Sequence, residues 1–184
     1  MDFSEPVANA LSLELVNTVN SWHRPTRDAL ADPSSTASWA AHVGHPLATT
    51  PRESALPRAR SLRGQLHAVF GAIAGHGEPS AQGLAAIERA YREGLAAAHL
   101  RRTGPTYGLA WPEPGSLDDL LARAAASAVT LLTAGPLDRV GECPSCGWLF
   151  LDTSRNGRRR WCSMDTCGAR VKARRHYATR TAAT

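Results

Sequence analysis

The chain has 184 residues and a mass of 19.6 kDa, with 43% hydrophobic residues and a formal net charge of +5. That length supports one good hydrophobic core with a small module beside it, and no apolar run approaches the roughly 20 residues that span a bilayer. The N-terminal stretch MDFSEPVANALSLELVNT carries acids where a secretory leader carries basic residues, so a soluble cytoplasmic protein with no membrane partner is expected.

In chain order, Leu11, Leu15 and Val19, with Val16 beside them, mark a helical stripe from Pro6 to about Asn20. The following segment is punctuated by prolines and leaves room for one short helix near Thr36–Val43. Leu62, Leu66, Val69, Phe70 and Ile73 define a helix from about Arg58 to Ala74, ended by Gly75 and Gly77. Ser80 is the expected N-cap of a helix carrying Leu84, Ile87, Tyr91, Leu95 and Ala98. Gly104-Pro105 between two short extended pieces predicts a hairpin. A last long helix begins at Ser116, with Asp118 and Asp119 at its positive end, and stops at Gly135-Pro136.

Charge and cysteine are both concentrated after this point. Residues 1–140 hold 12 arginines and 13 acids, whereas residues 141–184 hold nine Lys or Arg against three acids. All four cysteines also lie in this tail, as Cys143-x2-Cys146 and Cys162-x4-Cys167 separated by fifteen residues. In a reducing compartment, two close pairs around one loop are the layout of a four-thiolate zinc site rather than of disulfides. GWLFLDTS reads as a strand, Asn156-Gly157 as a tight turn and RRRWC as the returning strand, which would set Leu151 opposite Cys162. Ser163 then caps a helix bearing Cys167. The expected fold is mainly α with small β elements (α+β): a helical unit over 1–138 and, over 139–184, a treble-clef-like module of knuckle, hairpin and helix. With four protein sulfurs the coordination sphere is closed, so the expected cofactor is one structural Zn2+.

The tail GWLFLDTSRNGRRRWCSMDTCGARVKARRH resembles the CGNR zinc-finger family nearly from end to end. Upstream, Leu15-Val16-Asn17-Thr18, RDALADP with Trp39, SLRGQL and LLTAGPLDRVGEC resemble the helical domain that precedes this finger in the family. Members are described as stress-related transcriptional regulators, and the resemblance implies that role here. It also implies Cys143, Cys146, Cys162 and Cys167 as the zinc ligands. The naming tetrad departs from the family pattern, reading Cys167-Gly168-Ala169-Arg170 with alanine in place of asparagine.

Two basic groups lie between and after the cysteine pairs: Arg155, Arg158, Arg159 and Arg160 at the loop tip, and Arg170, Lys172, Arg174, Arg175 and Arg180 on the final helix. On a rigid metal module joined to a near-neutral unit, they are expected to bind DNA through phosphates and guanine edges. Cys167, Val171 and Ala178 share the stripe of that helix expected to face the metal. Trp148 and Trp161 are assigned to the module's small core. In the helical unit, Asn17 falls near the apolar stripe, where a buried amide must find partners in the protein or in a ligand. His23 and Arg24, with Arg27 and Asp28 in the proline-bounded loop, are either the lining of a small-molecule effector pocket or surface residues. No metalloprotease, phosphate-loop or nucleophile-elbow pattern occurs, so no enzyme is expected. The expected function is a DNA-binding regulator that senses a small-molecule effector or partner and pairs as a homodimer. Its rivals are a finger serving only protein interaction and, more distantly, an enzyme using a pocket of the helical unit.

Overall fold

The computed structural model describes residues 6–111 and 115–181. In order they form α1 (Leu11–Val16), α2 (Pro33–His42), α3 (Leu56–Ala74), α4 (Ala81–Gly94), β1 (His99–Thr103), β2 (Thr106–Ala110), α5 (Leu117–Ala134), β3 (Val140–Glu142), β4 (Leu149–Leu151) and α6 (Ala169–Thr181). The fold is mainly helical, with two small antiparallel strand pairs, as the sequence predicts.

Local chemistry explains several boundaries. The Ser80 hydroxyl accepts from Gly83 N–H and starts α4. At α5, Ser116 and Asp119 form a capping box, each side chain accepting from the other's N–H. Gly104, at φ 64°, turns β1 into β2, and the register pairs Leu100 with Leu109 and Arg102 with Tyr107.

Other boundaries differ from expectation. Helix α1 ends at Val16 instead of running on towards Asn20, because the chain leaves it to pair with itself. Val19 bridges Asp28, Thr18 O accepts from Ala29 N, and Asn20 N donates to Arg27 O. This strap is held by buried Arg63, whose guanidinium grips the Asp28 carboxylate at 2.5 and 2.9 Å and donates to the Thr18 hydroxyl at 3.0 Å. Helix α2 begins earlier than its pattern suggests. Pro33 occupies its first turn, where no N–H is needed, and Asp32 caps it by accepting from Ser35 N at 2.8 Å.

Leu13, Leu15 and Val16 of α1 pack with Leu66, Val69 and Phe70 of α3, Ile87 of α4 and Leu120, Leu121 and Ala128 of α5. Val140 of β3 and Leu149 of β4 belong to the same buried cluster. The core of the helical unit therefore continues through the boundary expected at 138/139. By contrast, Leu84 on α4, placed by its spacing on the inner face, is 40% exposed.

Candidate metal centre and nucleic-acid interface

The first cysteine pair lies on a knuckle between β3 and β4, which pair antiparallel with Gly141 opposite Phe150. Cys143 O accepts from Cys146 N at 3.3 Å and Gly147 N at 2.8 Å, and Cys143 N donates to Trp148 O. Gly147 completes the reversal at φ 75°. A Cβ there would lie 2.8 Å from the Trp22 Cβ, so the position needs glycine twice over.

The hairpin therefore flanks the knuckle, and the one expected at Asn156-Gly157 does not form. Leu151 pairs with Val140, not with Cys162. The reason is that the other edge of β4 is already filled from the N-terminal side. The Asn17 amide donates to Leu149 O at 2.9 Å and accepts from Leu149 N at 3.0 Å, while Leu151 N donates to Ala8 O and Asn9 Nδ2 donates to Leu151 O. The chain after β4 is organised instead by buried Asp152, which accepts from Ser154 N at 2.8 Å and Arg159 N at 2.7 Å. Ser154 and the Arg159 N–H hold its carboxyl below the usual carboxylate range.

Ser163 caps the second pair's segment by accepting from Asp165 N, as expected, but residues 164–168 form one π-turn before α6. Gly168 N donating to Ser163 O closes it and carries Cys167 inward. All four sulfurs are buried and lie within 4.8 Å of one another, with Cys146 and Cys162 Sγ 3.6 Å apart. A tetrahedral zinc with arms of about 2.3 Å sets its sulfurs about 3.8 Å apart, and the Cys146–Cys162 separation of 3.6 Å is close to that.

The protons of the cluster argue the same way. The Cys143 thiol is pushed down, chiefly by hydrogen bonding from Cys146. Cys146 is pushed up to about 12 and Cys162 up, each first through its bond to Cys143. Thiols this close compete for their protons, because a thiolate on one raises the cost of ionising the next. A divalent ion removes that conflict, and the donor set fits one structural Zn2+.

The knuckle rests on the strap of the helical unit. Cys146 O accepts from Trp22 N at 2.7 Å and from the Ser21 hydroxyl at 3.2 Å, and Trp148 Nε1 donates to Val19 O at 2.6 Å. His67 stacks on Trp22 with ring centroids 3.7 Å apart. Of the residues considered for an effector, the Asn17 amide is engaged by the Leu149 backbone, whereas His23 and Arg24 are exposed. Ser21, Trp22 and His67 had no sequence signal of their own. Only the need of Asn17 for partners pointed to this seam.

Arg155, Arg158 and Arg160 are exposed around the loop, as are Arg170, Lys172 and Arg174 on α6. The side chains of Arg175 and Arg180 lie outside the described residues. Arg159 departs from its group. Its guanidinium donates to Val7 O at 2.8 Å, Trp161 O at 3.1 Å and Cys162 O, and lies 4.4 Å from the Phe150 ring centre. It ties the N-terminal segment to the metal loop and is not offered to a polyanion. Trp148 and Trp161 pack against the cysteine cluster, as assigned. Val171 is half-buried but Ala178 is exposed, so the stripe expected to face the metal covers only the start of α6.

Residues 9–135 match a family model described as "putative stress-induced transcription regulator", and residues 139–180 match the CGNR zinc finger. Among curated proteins the comparison found no match. No helix among the described residues is long and apolar enough to cross a membrane.

Proposed function

We propose a DNA-binding function from one premise: the chain belongs to the stress-induced transcription regulator family and carries a CGNR zinc finger. In this reading it is a cytoplasmic regulator and not an enzyme. The finger binds duplex DNA, and the helical unit answers to a small-molecule effector or a partner. The observation that carries the reading is the distribution of charge on the module. Arg155, Arg158, Arg160, Arg170, Lys172 and Arg174 are all exposed, and among the described residues none takes part in an ion pair. Cations that neutralise nothing within the protein are available to phosphates, while the zinc holds the loop and helix that bear them.

Fluorescence anisotropy with duplex DNA tests this. Zinc-loaded protein is expected to bind with an affinity that falls steeply with salt. Replacing Arg170 and Arg174 by alanine should weaken binding across sequences and lower the salt slope by about 2. No affinity at low salt would leave the finger as a protein-interaction module.

One observation favours homodimer formation. Leu100 and Tyr107 on the β1–β2 hairpin are 72% and 69% exposed, and a lone two-stranded hairpin is marginal in water without cover. Sedimentation of Leu100→Ser against the unaltered protein tests that contact.

A further inference from the structure

A cavity of about 510 Å³ opens between α3, α4 and α5. That volume is within the range of about 300–1,000 Å³ used for small ligands. Its apolar wall is Trp111, tilted against Tyr91 at 6.1 Å, above a floor that includes Ala86, Ala90 and Ala122. Larger side chains at those alanines would fill the space.

The polar rim is balanced. Arg58, Arg89 and Arg123 face Glu93, Asp118 and Asp119. Arg58 bridges the helices, 2.5 Å from Glu93 on α4 and 3.4 Å from Asp118 on α5. Asp119 is engaged by Ser116, and Arg123 donates to Trp111 O. The bridge is half-exposed and can be opened by an incoming charge.

The sign of that charge decides the ligand. An anion that drew Arg58 away would leave two carboxylates without their cation. A cation would compete with Arg58 for the same oxygens. A zwitterion replaces more of what it displaces than either single charge does, its ammonium taking the guanidinium's place at Glu93 or Asp118 and its carboxylate meeting Arg58 and Arg89. Trp111 offers a flat apolar face to a ring. We propose that this cavity binds a small aromatic zwitterion of the α-amino acid class.

The site lies where it can act on the finger. Helix α5 runs from the cavity towards β3, and α3, which carries Arg58, packs on β3 and β4. A role as effector site rests on the regulator reading above, whereas binding itself does not.

Calorimetry on the zinc-loaded full chain should use L-phenylalanine, phenylacetate and phenethylamine as probes. The expected result is binding of L-phenylalanine, with each singly charged analogue at least about tenfold weaker. Arg89→Ala, an exposed change that leaves the fold intact by circular dichroism, should weaken L-phenylalanine at least about tenfold, and Trp111→Leu should do the same. No heat with L-phenylalanine at millimolar concentration overturns the proposal, as does equal binding of phenylacetate or unchanged affinity in Arg89→Ala. DNA affinity measured with and without L-phenylalanine separates the two readings. Binding that leaves DNA affinity unchanged supports the site and counts only against its regulatory link.

Discussion

The two halves of the zinc module are built differently. The half bearing Cys143 and Cys146 is part of the helical core: Val140 and Leu149 are buried in it, and the strap hydrogen-bonds Cys146, Trp148 and Leu149. The half bearing Cys162 and Cys167 leads into α6, which packs mainly on the turn before it and exposes Arg170, Lys172 and Arg174. A helix polar on nearly all sides has little reason to form alone. The difference teaches that the metal is a joint between a half that the core already holds and a half whose other tie to the N-terminal segment is the Arg159 guanidinium, on Val7 O, Trp161 O and Cys162 O. Among the described residues of the module, the exposed cations without an ion pair, Arg155, Arg158, Arg160, Arg170, Lys172 and Arg174, all follow Asp152.

The largest effect should come from breaking the joint. Chelation or Cys162→Ser is expected to release zinc, unfold α6 and abolish DNA binding while α1 to α5 remain folded. Hydrogen exchange would check it, with protection lost after residue 152 and kept in α3 and α5. Loss of protection throughout the chain would contradict the division.

Next comes the docked half. Asn17→Ala leaves Leu149 N–H and C=O without partners in a buried place, at a cost of roughly 3 kcal/mol in urea unfolding, against less than about 0.5 for Arg24→Ala. A similar cost for both would mean that the seam holds nothing. Arg159→Met sharpens the contrast within one arginine cluster. It should lower the thermal midpoint through its lost carbonyl contacts, and Arg158→Ala should lower DNA affinity without moving the midpoint. Equal effects of the two on DNA affinity alone would return Arg159 to the binding surface.

The smallest effect concerns Asp32, far from both halves. Ser35 N–H, through its bond to the carboxylate, lowers the pKa of the folded state below that of the unfolded chain. Its contribution is therefore present above the ordinary carboxylate value of 3.8 and is lost as pH falls through the lowered one. Stability curves of Asp32→Ala and the unaltered protein should converge in acid and separate towards neutral pH.

Ala169 bears on the second half as well. It is the exposed first residue of α6, where the family motif carries asparagine. Ala169 is not one of the four clustered cysteine positions, which are all buried.

The sequence alone determined what depends on neighbours a few residues apart. The cysteine spacing, the caps at Ser80 and Ser116, the Gly104-Pro105 turn and the charge divide between 1–140 and 141–184 were all legible, because each is set by local backbone geometry or by composition. The tertiary structure alone decided matters of competition between distant segments. Leu149 could have taken a returning strand, but Asn17, 132 residues earlier, reached that edge first. The same rivalry ended α1 at Val16, withdrew Arg159 from the surface and turned a candidate ligand-binding amide into a substitute for backbone. A hydrogen-bonding group can be recognised from its residue type, but its partner is chosen by the fold, because every buried donor and acceptor must be matched at once.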